Sequence, residues 1–209
     1  MEANYEQKLQ QIKHWLGTGS INIFGLPMSG KDTVGMRLAT AIGGKFLSSG
    51  AIIRAMETAQ NRSLTNKGEL IKTDIFYDWV LPSFDKVELK PFPLVLSSIG
   101  RWHGEEDTVM DRAKTSGHEI KAAVVLNVSE ADVMNRWETV QTIRDRGTRP
   151  DDTNPEVFQK RIEEFREKTR PVLLRYRELG LLVEVKGDSD RETVFGNLIN
   201  ELYQFSFNR

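Results

Sequence analysis

Five short apolar runs, separated by segments with helical periodicity, constrain the fold of this chain more than any other feature. In chain order the runs are INIFGL (21–26), KFLS (45–48), FPLVLSS (92–98), AAVVLNV (122–128) and LLVEVKG (181–187). KFLS is the shortest, and the other four are rich in β-branched or aromatic residues. Because the runs are nearly continuous and do not alternate, they suit strands covered on both faces. The sequence therefore predicts a three-layer α/β fold with a five-stranded parallel sheet.

Two stretches interrupt this alternation of strands and helices. Residues 49–91 contain no strand pattern and are predicted to be mainly helical, whereas residues 141–153 are hydrophilic. An amphipathic helix precedes the first strand, and the sequence leaves open whether it packs on the fold or contacts a partner. We expect four parts: an extension at 1–19, a core at 20–48, 92–140 and 154–209, an insertion at 49–91 and a short lid at 141–153.

Composition excludes several classes of function. Lys and Arg number 29 against 30 Asp and Glu, so the charge of −1 gives no general attraction to nucleic acid or to an anionic membrane surface. Cysteine is absent, which removes disulfides and thiolate chemistry. No apolar run approaches the roughly 18 residues of a membrane span, and the opening is too polar for a signal peptide. We expect a cytoplasmic monomer without nucleic-acid or membrane partners.

Helix starts are marked at two places by a serine followed by an acidic residue three positions later. Ser129 precedes Asp132, and Ser189 precedes Glu192. In this arrangement the serine hydroxyl at the N-cap accepts the backbone N–H of the third helical residue, and the acidic side chain of that residue accepts the backbone N–H of the serine. The spacing therefore predicts helices that begin directly after Ser129 and Ser189.

The first apolar run is followed by GLPMSGKDT (25–33) and then by a helical segment. Gly25, Gly30 and Lys31 fit the pattern G-x-x-x-x-G-K in the strand–loop–helix context that this pattern requires. Backbone N–H groups and the helix N-terminus bind phosphate there, and the lysine reaches the outer phosphates. The loop predicts phosphate binding, with Ser29 and Thr33 as further residues of the loop region.

Asp32 stands where most such loops have Ser or Thr. A carboxylate beside a bound triphosphate repels it unless Mg²⁺ lies between them. Asp32 therefore either turns away to cap the helix, which we favour, or holds Mg²⁺ through water.

GLPMSGKDT resembles the G-x-P-G-x-G-K-G-T loop of adenylate kinases and related nucleoside monophosphate kinases, which have Thr two positions after the lysine. FLSSGAIIRAM is similar to the family's I-S-T-G-D-M-L-R segment, and this similarity places Ser49 and Arg54 on a monophosphate-binding helix. GELIKTD (68–74) resembles G-x-L-V-P-D. The resemblance implies that residues 49–91 are the monophosphate-binding insertion.

Two later segments extend the resemblance. VLSSIGRWHGEE (95–106) lies in the place of L-D-G-F-P-R-x-x-x-Q, keeps the arginine as Arg101 and has Glu105 in place of the glutamine. RPDDTNPEVFQKRIEEF resembles the family's lid and hinge pattern R-x-D-D-x-P-E-x-x-x-x-R-L, with Arg149 and Arg161 as its arginines. Residues 141–153 would then be a short lid without a zinc site.

The resemblance implies transfer of a phosphoryl group from ATP, with Mg²⁺, to a nucleoside monophosphate. Lys31 would bind the donor phosphates, Arg54 and Arg101 the acceptor phosphate, and Arg149 and Arg161 the charge in transit. Arg136 falls where the family stacks an arginine on the donor base. Planar arginines suit such a reaction because they stay charged and grip phosphate oxygens in pairs.

Departures from the family pattern keep two other interpretations open. Ser97 replaces the aspartate that anchors the Mg²⁺ shell, although Asp32 is able to take over that role. Glu105 offers only acceptors when ionised, so it suits guanine or the amino group of cytosine better than adenine. The alternatives are a nucleotide-binding protein with weakened catalysis and a small-metabolite kinase with the same phosphate loop.

Overall fold

The sheet has five parallel strands, so the predicted fold class is confirmed. The computed structural model describes residues 4–143 and 154–207, apart from the side chains of residues 141–143. The strands are β1 Ser20–Gly25, β2 Lys45–Ser48, β3 Leu94–Ser97, β4 Ile120–Asn127 and β5 Leu182–Lys186. Their order in the sheet is β2-β3-β1-β4-β5.

Nine α-helices lie among the described residues and cover both faces of the sheet. They are α1 Tyr5–Leu16, α2 Lys31–Ile42, α3 Ser49–Ala59, α4 Thr73–Val80, α5 Glu105–Thr115, α6 Glu130–Ile143, α7 Pro155–Glu164, α8 Arg170–Glu178 and α9 Arg191–Phe207. Two 3₁₀ turns, Leu81–Asp85 and Val87–Leu89, follow α4. Among the described residues, no helix is both long and apolar enough to cross a lipid bilayer.

The register of the central strands brings three chain segments to one edge of the sheet. In β1, Ile23 lies opposite Ser97 of β3, which in turn lies opposite Ser48 of β2. The chain therefore leaves β1, β2 and β3 at the same carboxyl edge. Ligands of open α/β sheets bind at this edge, where the crossovers diverge to opposite sides.

Helix α1 packs into the fold, which answers the question that the sequence left open. Ile12 and Leu16 are fully buried in one apolar core with Ile21 of β1 and Leu198 of α9. Lys121 Nζ of β4 also donates a hydrogen bond of 2.7 Å to the carbonyl of Trp15. The two buried side chains thus make α1 part of the core on that face of the sheet.

The two predicted helix starts have different outcomes. Ser129 caps α6 as predicted, since its hydroxyl accepts the Asp132 N–H at 3.0 Å. The start at Ser189 is wrong by one residue: Asp190 is the cap of α9, and its carboxylate accepts the N–H groups of residues 192 and 193. Glu192 is drawn outward instead, because both of its carboxylate oxygens pair with Arg37.

A π turn, Phe165–Thr169, joins α7 to α8. Pro171 lies in the first turn of α8, where its missing N–H and its ring prevent the ordinary hydrogen bond to the preceding turn. The backbone widens instead, so that the Arg170 N–H reaches the Phe165 carbonyl. This widening turns the Thr169 hydroxyl to the loop after β3, where it donates to the Arg101 carbonyl at 3.2 Å.

Candidate active site

The loop between β1 and α2 has the shape of an anion-binding turn. Gly30 is the N-cap of α2 with φ of 91°, a conformation that favours glycine. A Cβ on Gly25 would lie 2.6 Å from Ser29 Oγ, so the close approach of the two ends of the loop requires glycine at this position. With α2 beginning at Lys31, the first N–H groups of the helix are directed into the turn.

Two residues hold left-handed backbone conformations at positions where the family pattern has glycine. Met28 has φ of 60° and Ser98 has φ of 51°; among the described residues, Asn61 is the only other non-glycine residue with positive φ. Each costs about 1 kcal/mol relative to an ordinary conformation. The chain has lost these glycines but keeps the backbone turns that they would allow.

Four of the predicted cations line one pocket beside this loop. Lys31 comes from the start of α2, Arg54 from α3, Arg101 from the loop after β3 and Arg161 from α7. The remaining lining residues come from the same edge of the sheet and from the insertion: Asp32, Ser48, Ser49, Gly50, Ile53, Thr65, Gly68, Glu69, Leu70, Ile71, Phe76, Ser97, Ser98, Trp102 and Glu105. Residues that are up to 130 positions apart in the chain are thus brought together in one pocket.

The surroundings of Arg101 shift its pKa. Burial, and then the positive charge of Arg161, lower its pKa to about 10, while Glu164, Glu105 and Asp32 oppose the shift. Its Nε is buried without a hydrogen-bond partner. Arg101 still carries its charge at neutral pH, and a bound anion would relieve the unfavourable proximity to Arg161.

The loop that carries Arg101 is held from three directions. The N–H groups of Arg101 and Trp102 donate to Glu105 Oε2 at 2.8 and 3.0 Å. The Trp102 indole donates to the Ile71 carbonyl at 3.0 Å, and Thr169 holds the Arg101 carbonyl. Sequence reasoning missed Thr169, which matches no motif, and it assigned no role to Ile71, although Ile71 lies within the GELIKTD segment.

Asp32 faces the pocket, and this corrects the favoured expectation that it turns away. Ser97 Oγ donates to Asp32 Oδ1 at 2.5 Å, with Ser97 only 2% exposed. Ser49 in turn donates to the carbonyls of Ser97 and Ser98 at 3.2 and 2.8 Å. A carboxylate therefore lies beside Lys31 at the end of β3, although the strand itself ends in serine.

A second pocket lies on the other side of the loop. Ser29, Gly30, Thr33 and Arg136 line it, together with residues 187–191 after β5. Arg136 donates to the carbonyls of Ser29 and Gly187 at 3.1 and 2.7 Å, so it ties the phosphate loop to the loop after β5. Stacking of Arg136 on a donor base stays a prediction.

Part of the predicted site lies outside the described residues. Arg149 belongs to it, as do the other residues of the proposed lid from position 144 onward. Within the described residues, no group of three or more His, Asp or Glu side chains is arranged to hold a metal ion. The division into core, insertion and lid stays a prediction.

Comparison with known proteins agrees with this geometry. The chain is 31% identical to an adenylate kinase of Agrobacterium fabrum over 179 residues, which are 81% of this chain and 90% of that protein. It is 29% identical to an adenylate kinase of Rhizobium meliloti over 178 residues, 81% of this chain and 92% of the relative. No family model matches the chain.

Among solved structures, the fold is similar to that of a gluconokinase from Sinorhizobium meliloti, with a TM-score of 0.60 over 92% of this chain and 95% of the other. The identity to this structure is 20%, so the likeness concerns the fold alone. The relatives at about 30% identity, the parallel sheet and the phosphate loop all indicate a P-loop kinase. The chain is a P-loop kinase and belongs to the adenylate kinase family.

Proposed function

We propose that this chain reversibly transfers the terminal phosphoryl group of ATP to a nucleoside monophosphate. The observation that carries the proposal is the convergence of Lys31, Arg54, Arg101 and Arg161 on one pocket beside the phosphate loop. Arginine side chains stay charged and grip phosphate oxygens in pairs. An acceptor that brings its own phosphate therefore suits this pocket better than a neutral one, and the relatives named adenylate kinase support it.

The proposed roles divide the site between the two pockets. The second pocket and the loop would bind ATP through Gly25, Ser29, Gly30, Lys31, Asp32, Thr33 and Arg136. The first pocket would bind the monophosphate through Ser49, Arg54, Arg101 and Glu105. Lys31, Arg101, Arg149 and Arg161 would neutralise charge on the phosphoryl group in transit, because phosphoryl transfer depends mainly on alignment and charge neutralisation.

The residues at the end of β3 fit Mg²⁺ as the metal that accompanies ATP. Mg²⁺ prefers oxygen ligands, keeps several waters and is commonly held by one or two carboxylates together with substrate phosphates. Asp32 and Ser97 present such oxygens beside Lys31. We propose that Asp32 orients the metal's water shell, a role for which Ser97 lacks the charge. Bound Mg²⁺ would supply charge neutralisation between the phosphates.

Asp32→Asn is expected to raise the free Mg²⁺ concentration for half-maximal rate about tenfold, because loss of an outer-shell carboxylate weakens metal binding by about that factor. The measurement is initial rate against free Mg²⁺ at saturating nucleotide. Asp78→Asn removes an exposed carboxylate from α4 and serves as the matched control. An unchanged Mg²⁺ dependence in Asp32→Asn would exclude the proposed role.

The proposed function is tested by ADP formation from Mg-ATP with AMP, GMP, CMP, UMP and dTMP as separate acceptors. Turnover with at least one of them, well above hydrolysis of ATP alone, is the expected result. ATP binding measured by calorimetry without turnover of any monophosphate would favour the weakened, regulatory alternative. Turnover of gluconate and of none of the five nucleotides would favour a small-metabolite kinase. The charge balance and the absence of cysteine fit the proposed cytoplasmic monomer.

A further inference from the structure

Glu105 has one buried oxygen without a partner in the acceptor pocket. It is the first residue of α5, is only 2% exposed and lines the pocket that holds the four cations. Its Oε2 accepts the N–H groups of Arg101 and Trp102, whereas Oε1 is buried and has no hydrogen bond. A buried acceptor without a donor costs about 1–3 kcal/mol, so a ligand that supplies a donor there gains affinity.

The two backbone bonds fix the direction of the free oxygen. They hold the carboxylate against residues 101 and 102 of the loop, so Oε1 cannot rotate away without breaking them. Burial raises the pKa of Glu105, while the two backbone N–H groups, the Thr73 side chain and the charge of Arg101 act in the opposite direction. These four contributions offset the rise only in part. The two backbone bonds are made by Oε2, so Oε1 is the carboxylate oxygen left to meet a ligand.

The walls around Glu105 suit a flat ring. Ile53, Ile71, Phe76 and Trp102 line the same pocket and provide apolar and aromatic surface. The cations Arg54, Arg101 and Arg161 provide the complementary surface for phosphate. A pocket with cations, apolar walls and one buried carboxylate oxygen matches a nucleotide whose base carries hydrogen-bond donors.

We infer that the acceptor is a guanine nucleotide, whose base is read by Glu105 Oε1. This inference rests on the proposed nucleoside monophosphate kinase function. Guanine presents N1–H and the N2 amino group side by side, so a single oxygen that accepts from one of these donors lies beside the other. Adenine and cytosine place a ring-nitrogen lone pair beside their amino group, and uracil flanks its N–H with two carbonyls. A fixed carboxylate repels these neighbouring acceptors, so guanine alone meets Glu105 without an unfavourable contact.

The wild-type protein provides the first test, through kcat/KM and calorimetric Kd for GMP, IMP and AMP. IMP keeps N1–H but lacks the N2 amino group, so we expect the order GMP, IMP, AMP. GMP should exceed AMP by about tenfold or more, which corresponds to the loss of one buried hydrogen bond. AMP equal to or better than GMP would overturn the inference and leave the proposed function intact. Failure of all monophosphates to bind or react would overturn both.

Glu105→Gln provides the second test. The amide oxygen can keep the two backbone bonds, which places the NH₂ group where Oε1 stood and reverses the polarity towards the base. We expect the GMP-to-AMP ratio of kcat/KM to fall at least about tenfold, because NH₂ donates to adenine N1 and opposes guanine N1–H. A ratio that does not change in a folded Glu105→Gln protein would contradict direct reading of the base.

Glu106→Gln is the matched control for this substitution. Glu106 is the next residue of α5 and is equally buried, but its oxygens bond the Gly104 N–H and His103, and it does not line the pocket. Glu106→Gln should leave the GMP-to-AMP ratio of kcat/KM unchanged. If Glu105→Gln fails to fold by thermal denaturation, the wild-type comparison of GMP, IMP and AMP still decides the question.

Discussion

Lys31→Ala is expected to lower kcat/KM for phosphoryl transfer by about 10³-fold or more. Lys31 is the first residue of α2 and lines the pocket between the phosphate loop and the arginines. Removal of a preorganised cation at the site where charge develops costs about 3–4 kcal/mol of transition-state stabilisation. The measurement is ADP formation with the acceptor that the wild-type protein prefers, together with Kd for ATP.

Lys45→Ala is the control for that substitution. Lys45 begins β2 at the opposite edge of the sheet, where its ammonium group lies 4.5 Å from the centre of the Phe92 ring. Its loss should leave kcat/KM unchanged. Lys31→Ala with more than a tenth of wild-type kcat/KM would remove Lys31 from the catalytic set and call the proposed use of the phosphate loop into question.

Arg101→Met is expected to lower the kinase activity without lowering the melting temperature. The substitution removes charge-assisted contacts to the acceptor phosphate and should raise KM for the acceptor and lower kcat/KM by about 10²- to 10⁴-fold. Without ligand, however, the side chain is a buried cation beside Arg161, with its pKa already lowered by that environment. An apolar side chain of similar length should therefore leave the melting temperature unchanged or raise it.

Arg112→Met provides the comparison. Arg112 lies on the outer side of α5, where its guanidinium group pairs with Asp85, and this pair is partly exposed. Kinetics should not change there, and stability should fall by no more than about 1 kcal/mol. If Arg101→Met unfolds the protein, or if it leaves KM for every acceptor unchanged, the assignment of Arg101 to the acceptor phosphate fails.

The parallel sheet and the phosphate loop could be predicted because their signals are local. Each strand is a short apolar run, and burial on both faces explains why these runs do not alternate. Gly25, Gly30 and Lys31 lie within one strand–loop–helix unit, whose backbone shape follows from their own conformational preferences. Even Met28, which departs from the family pattern, keeps the left-handed backbone of the glycine that it replaces.

The candidate site could be predicted only in part. The four cations of the pocket were found because each belongs to a recognisable segment of the family pattern. Thr169 was not found, since its hydroxyl belongs to no motif, and Ile71 was given no role, since it acts through its backbone carbonyl and its side chain does not indicate that contact. Ser189 was assigned as a helix cap because the spacing of residues cannot distinguish it from Asp190, which competes for the same N–H groups.

The sequence by itself therefore determined the α/β sheet and the phosphate loop, because each depends on residues close together in the chain. It identified the four cations one by one through separate local motifs, whereas their convergence on one pocket was decided by the tertiary structure. The tertiary structure alone decided where Asp32 points, since its partner Ser97 is 65 positions away. It also decided that Ile12 and Leu16 of α1 join the core, through contacts with the far end of the chain. The same holds for Glu105, where packing rather than residue type leaves one oxygen bonded to the backbone and the other without a hydrogen bond.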